Sequence, residues 1–507
     1  MEERKLKKKI IGIFVCMLLI TATVFGVAGN IKQQVNVVNS NELKETELPE
    51  YNSIINSPII SKHTFEFDEQ DLERIQQIII QIGKPNPDPG HIKNEEGSPA
   101  KGGESDIFVY PRCHHGLKRR DVTNIQWAVD NIAKSGTVHL MTTDPDDGEN
   151  KAFYFGFGEC GVQVRLVDNI IIKGESSELT TYKLPWGRSI ITDRAIIYGG
   201  LRSISLVEKL RLDIENLHIE NPQDAGVWVS HSNGINVSDC KIFNVRPYLY
   251  SWGYCAVTIS LFNIHYYPVQ ENISGYANIV DNELSPNRDL IPAYYNKFLQ
   301  GGIWLGCISC DAYISGNTIY NADVWTISVD QNYKTTTVEG NILNPGPQQA
   351  DPSISYGMGI LVGYHHYLYA FQGSLYVYDN EINVVNPNGY AVGILGYLTL
   401  PGTEFEFIGN EFTVTDVMAA ILSYTPVYNF WENNIFKGYA EYAVLIADYA
   451  SNGEYNLAQS ELDEFVATSW LYVLMLGTSW CNTINAPDIP CFRFYDLSGG
   501  ANTVYCL

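Results

Sequence analysis

Positive charge is scarce in this chain. There are 33 Lys and Arg against 57 Asp and Glu, a formal net charge of −24. A surface of that sign repels phosphate backbones, so nucleic acid is excluded as a partner. Acidity on this scale serves solubility before any specific ligand. Metal-ligand patterns are also thin. Cys307-Ile-Ser-Cys310 is one CxxC without a second pair, and Cys113-His114-His115 and His365-His366 read as loop and turn segments. A structural zinc site needs four ligands, so no metal site is assigned. Copper lacks the methionine or histidine cluster it would need. Nine cysteines lie outside the first thirty residues, an odd number that leaves at least one thiol over. Cys240 with Cys255 and Cys481 with Cys491 are open as pairings.

What the chain does have is 33 Tyr, 42 Gly and 22 Pro, which suits many short strands and turns. Its first residues have the order of an export signal. Arg4, Lys5, Lys7, Lys8 and Lys9 precede an apolar run from Ile10 to about Ala28, with small residues at Gly26 and Ala28. Residues 1–29 are therefore expected to be a secretion leader, or an N-terminal membrane anchor through 10–28, since the run nearly reaches spanning length. Either reading places the protein outside the cell or on its surface. Residues 30–106 are polar, with a turn-rich Lys84-Pro-Asn-Pro-Asp-Pro-Gly90, and are expected to be a poorly structured stalk with one short helix over 68–82. Folding is expected over 107–507. Thr123 and Gln126 fit a capping box, and Ile125, Val129 and Ile132 share a helical face, which predicts a short helix over 124–133 covering the first coil.

Beyond residue 200 a repeat is visible. An Asn precedes an apolar residue by two positions at Asn282, Asn317, Asn341, Asn380, Asn410, Asn434 and Asn482. Leu217, Cys240 and Ser460 hold the same slot. Successive slots are 23, 42, 35, 24, 39, 30, 24, 26 and 22 residues apart. The short intervals define a bare coil and the long ones carry insertions, which repeats place in loops. Asn suits the slot in two ways. It accepts left-handed backbone with little strain, and stacked Asn side chains can hydrogen-bond from coil to coil.

This pattern resembles the right-handed parallel β-helix of the pectin lyase-like superfamily. Ile125-Gln-Trp-Ala-Val129, Gly136-Thr-Val138 and Ile170-Ile-Ile-Lys-Gly174 are similar to the start of that family. The resemblance implies an all-β fold: a single-stranded right-handed parallel β-helix, a solenoid of three sheets and about ten or more coils. It places the Asn in the turn between second and third strands. It also implies a ligand groove along the outside of the first sheet. The strands expected there include Val227-Trp-Val229, Val257-Thr-Ile259, Ile303-Trp-Leu305 and Val324-Trp-Thr326. Alternation puts Trp228, Thr258 and Trp304 outside. Trp325 is open between parities, because Trp325, Ile327 and Val329 form an equally good inward set. Long loops entering this sheet carry Arg246, Tyr248, Tyr250, Trp252, Tyr294, Tyr295 and Lys297, and aromatics near polar groups suit sugar rings. Trp228, Trp304, Trp325, Tyr250, Trp252, Tyr294 and Tyr295 are thus the candidate residues for a polysaccharide or surface glycan.

The catalytic motifs of the superfamily are missing. There is no Asn-Thr-Asp, Gly-His-Gly and Arg-Ile-Lys set as in polygalacturonases, and no Trp-Ile-Asp-His as in pectate lyases. The expectation is a β-helix that binds carbohydrate or envelope components without cofactors. The alternative is a polysaccharide lyase or glycoside hydrolase. A hydrolase would use Asp323 and Asp330 as a carboxylate pair. A lyase would use Asp-bound calcium with Arg288 or Lys297 as base, and His231 as a proton carrier.

Overall fold

Strand alternation and the Asn slots become three stacked ladders in the structure, a computed structural model. The residues it describes are His63–Glu66 and, with gaps in the loops, 105–506. They fall within one unit, Ile60–Leu507. Each coil runs from a first-sheet strand to a second-sheet strand, turns at the Asn slot, and passes through a third-sheet strand. One such coil comprises Gln300–Leu305, Asp311–Ser315 and Thr318–Ala322, after which Trp325–Val329 opens the next. Strands of successive coils pair in parallel. The second sheet has fifteen strands among the described residues. The third and first sheets run into each other, and in Glu411–Ser423 one bent strand serves both.

The core is the inside of this tube. In Tyr276–Val280 the residues Ala277 and Ile279 are buried and their neighbours half-buried. The same alternation recurs in Thr335–Glu339, Ser374–Tyr378 and Glu404–Ile408. Inward positions hold Ile, Val, Leu and Phe in one continuous cluster. Burial of such side chains is worth roughly 1.5–3 kcal/mol each, so the tube gains stability coil by coil. The expected helix is present as Ile125–Asn131, with Ile125, Val129 and Ile132 buried in that cluster. Gly136 leaves room for it, since a Cβ there would sit 2.5 Å from Ile132 Cγ1.

The stretch expected to be a stalk contributes one strand. His63–Glu66 pairs in parallel with Thr180–Lys183, whose own strand returns antiparallel to Ser189–Arg194. Backbone pairing outweighs the polar composition of this segment. The leader and the helix expected over 68–82 lie outside the described residues.

The Asn slots form a hydrogen-bonded column. Asn317 Oδ1 accepts from Asn282 N at 3.0 Å and from Asn282 Nδ2 at 2.9 Å. The same pair of bonds joins Asn317 to Asn341, Asn341 to Asn380, Asn380 to Asn410, and Asn410 to Asn434. Each Nδ2 also donates to a second-sheet carbonyl of the preceding coil, as Asn317 does to Ile279 O at 2.8 Å. Cys240 continues the column without an amide. Its N–H donates to Asn282 Oδ1 at 2.8 Å and its thiol to Ser238 O at 3.2 Å.

One expected role of the slot Asn is corrected here. The left-handed residue is the one before it: Asn216, Asp239, Asp281, Gly316, Gly340, Asp379, Gly409 and Asn433, with φ between 52° and 69°. The slot Asn serves only the ladder. At two of the glycines the position has a second requirement. A Cβ on Gly316 would meet Asp281 Oδ1 at 2.1 Å, and one on Gly409 would meet Asp379 Oδ1 at 2.2 Å. The carboxylate of one coil occupies the space a side chain would need on the next.

The pairing of Cys240 with Cys255, open from the sequence, is not made. Both are buried free thiols, as is Cys310 of the CxxC. Burial pushes the Cys240 and Cys310 thiols up to about 12, which leaves them protonated and unreactive.

Three substitutions test this account by urea unfolding. Asn380→Ala strands the buried donors Asn341 N and Nδ2 on one side and takes a donor from Asn410 Oδ1 on the other, and should cost about 2–4 kcal/mol. Gly409→Ala adds left-handed strain of about 1–2 kcal/mol, whereas Asp379→Gly should leave the midpoint nearly unchanged.

Candidate functional site

The outer row of the first sheet follows from pairing register. Trp228 aligns with Thr258, Thr258 with Trp304, Trp304 with Ser328, and Ser328 with Leu361. Trp228 and Trp304 are half-buried, while the flanking Val227, Val229, Ile303 and Leu305 are fully buried inside. The row closes beyond Trp304, because Ser328 and Leu361 are 0% exposed although they share its parity. The half-buried tryptophans therefore lie two coils apart, about 10 Å at ordinary strand spacing.

Trp304 is held along its strand. A Cβ on Gly306 would lie 2.3 Å from Trp304 Cζ2, so the indole packs over the Gly306 backbone. Gly301 and Gly302 are needed for a different reason. A Cβ on Gly301 would meet Trp325 Nε1 at 2.5 Å, and one on Gly302 would meet Ile319 Cγ2 at 2.5 Å. These glycines let the coil corner close against the next coil.

Trp325 does not belong to the outer row. Register places it with Met358, in line with Ile327 and Val329 on the inward parity, and it is 4% exposed. The expectation that it lines a groove is corrected on that ground. Asp323, Asp330, His231, Tyr250, Trp252, Tyr294 and Tyr295 lie outside the described residues.

Arg288 is placed, and not as a base. It sits in a turn that follows the third-sheet strand Glu283–Ser285 and folds over the outer face of that sheet. Its guanidinium lies 4.4 Å above the Phe243 ring. Nη2 donates to Glu220 Oε2 at 3.3 Å and Nε to Asp289 Oδ1 at 3.2 Å. Burial pulls its pKa down, but Glu220 and Asp289 push harder, and the net shift is upward. A guanidinium so placed keeps its proton, which removes Arg288 from the role of lyase base.

Around it is a charged cluster that the sequence did not announce. Glu220 is 3% exposed and accepts three hydrogen bonds. They come from His218 Nε2 at 3.0 Å, Asn244 Nδ2 at 2.6 Å and Arg288. Asn244 also bonds Asp289, donating to Oδ2 at 2.8 Å and accepting from its N–H at 3.0 Å. Arg246, expected in a ligand loop, is 4% exposed and donates to Asn221 O at 2.9 Å. Burial acts to raise the Glu220 carboxyl, yet Arg288 and the His218 and Asn244 bonds hold it below its ordinary value. Burial holds the His218 imidazole below its ordinary value against the pull of Glu220. A neutral His218 beside a carboxylate carries its proton on Nε2. His218-Ile219-Glu220 reads in sequence as a solvated outward pair. Only Arg288-Asp289, at the head of a long insertion, hinted at a partner.

Residues 203–367 match the family model described as a right handed beta helix region. The chain folds as a right-handed parallel β-helix. The pectin lyase-like superfamily is consistent with that match and with the stacked parallel sheets. No curated protein and no solved structure matches the chain. The matched span contains the outer Trp row and the cluster around Glu220, so both belong to the recognisable β-helix.

Removing Arg288 leaves an uncompensated buried carboxylate. Arg288→Met should cost about 3 kcal/mol in urea unfolding. The pH sign is the same for both partners. His218 and Glu220 have folded pKa values below their unfolded ones, so their contributions are present at neutral pH. The His218 part should fade as pH falls below about 6.5, and the Glu220 part below about 4.3. The urea midpoint measured from pH 8 to 4 checks this.

Proposed function

We propose that this is an exported or cell-surface β-helix that binds polysaccharide or surface glycan along the outside of its first sheet, with Trp228 and Trp304 as stacking platforms. The observation that carries this reading is the shared outward row of two half-buried tryptophans, one of them packed against Gly306. An indole fixed on a rigid strand offers an apolar face to a sugar ring without an ordering cost on binding. The separation of about two strand spacings suits alternate rings of an extended chain. Export follows from the basic, apolar and small-residue order of residues 1–29.

Affinity electrophoresis against acidic and neutral polysaccharides tests the proposal. At least one polysaccharide should retard the protein, and Trp304→Ala should weaken that retardation about tenfold, equivalent to about 1.4 kcal/mol. Retardation by none of them, or retardation unchanged in Trp304→Ala, overturns it. New unsaturated or reducing ends that disappear in Asp330→Ala would instead establish a lyase or hydrolase.

A further inference from the structure

The cluster on the third sheet has an uneven arrangement of donors. His218 Nε2 and Arg288 Nη2 address the same oxygen, Glu220 Oε2, while Asn244 holds Oε1. His218 is 0% exposed and fixed within the strand His218–Glu220. Arg288 is 19% exposed and belongs to a turn. Of the two donors on that oxygen, only Arg288 can leave.

We propose that His218, Glu220 and Arg288 form an acid-sensitive latch, in which protonation of His218 gives Glu220 a permanent cationic partner and releases the Arg288 turn from the third sheet. At neutral pH Arg288 is the carboxylate's one charged partner within hydrogen-bond reach among the described residues. An imidazolium at Nε2 takes over that role, because a buried ring cannot withdraw from it. Two cations would then crowd one oxygen, and the more exposed one is expelled. No bond is made or broken beyond the transfer of one proton from water to His218 Nδ1, a buried atom with no hydrogen-bond partner among the described residues.

Other charges around His218 leave this direction intact. Lys241 is its register neighbour on the next coil and pairs with Asp193 at 3.4 Å and Glu283 at 4.0 Å. Asp193 is also held by Arg194 at 2.9 Å, and Tyr320 donates to Glu283 at 2.9 Å. Asp289 is bonded to Asn244 and Arg288, and Phe243 meets His218 edge-on at 5.1 Å. Lys241 and Arg288 both oppose protonation, so the latch opens on acidification and not at neutral pH. The turn it holds begins the segment 285–301, which leads into the strand of Trp304. The latch does not depend on what the first sheet binds.

Hydrogen exchange of the amides in 285–289, corrected for intrinsic rates and measured on the full chain without ligand from pH 8 to 5, tests it. Protection should be constant near neutrality. It should then fall by up to tenfold per pH unit once His218 takes its proton, the slope of a single coupled proton. The amides of Asn317 and Asn341 should stay protected throughout. His218→Gln keeps an Nε2–H donor in the strand and should abolish the fall. Glu220→Gln should leave the turn exchanging faster at every pH. A fall that survives in His218→Gln, or no fall in the wild type, overturns the latch. Should a variant fail to fold, the wild type decides alone. A fall confined to 285–289 supports the latch, and one shared with Asn317 and Asn341 is global unfolding and overturns it.

Discussion

From Asn282 to Asn434, each turn slot buries a side-chain amide. The slot after each second-sheet strand turns the chain inward, and a polar side chain placed there has no access to water. The column meets that demand by having each Oδ1 from Asn317 to Asn434 accept twice from the coil before it, while Asn282 Oδ1 accepts from the Cys240 N–H. Such a column is all or nothing. A missing member leaves donors and acceptors unmatched on both sides, in a region where water cannot replace them. It also fixes register, since a coil shifted by one residue would take its Asn out of the column, as at Asn380, where Asp379 or Glu381 would replace it. The sheets then follow from the ladder as much as from their own backbone bonds.

Because the slot fixes the coil, the segments between slots are free to vary. Intervals from 22 to 42 residues fit one stack. Repeats accept additional residues in loops, and loops are where a repeat protein places its specificity. Two such places are seen here. On the first sheet, the outer row carries tryptophans at Trp228 and Trp304 and closes at Ser328. On the third sheet, the turn at 286–289 covers a His, a Glu and a Phe that alternation had pointed to solvent.

That covered cluster is costly by ordinary reckoning. A buried ion pair seldom stabilises more than an apolar replacement would, because each charge gives up its hydration. Here the arrangement repays little in stability and much in placement. Arg288 can satisfy Glu220, Asp289 and the Phe243 face only in one position, and this determines how the insertion leaves the sheet. Titration of such groups alters placement before it alters the fold, since the Asn column carries no ionisable side chain.

The sequence alone was enough for the architecture. A recurrent Asn two residues before an apolar residue, alternation around it, and intervals that never fall below a bare coil leave few other ways to bury the chain. Trp228 and Trp304 were legible as outward by the same alternation. What the tertiary structure decided were contacts between residues distant in the chain. Trp325 sat between two parities until its pairing with Met358 chose one. Left-handed backbone belonged to the residue before each Asn, which local pattern could not separate from the Asn itself. Cys240 and Cys255 form no bridge: Cys240 is buried in the turn slot before Lys241–Phe243 and Cys255 within the first-sheet strand Tyr254–Ser260. Glu220 and Arg288 are 68 residues apart, and their pairing depends on a turn crossing two coils. Periodicity reports which face a side chain takes; it carries no information about what later folds over that face.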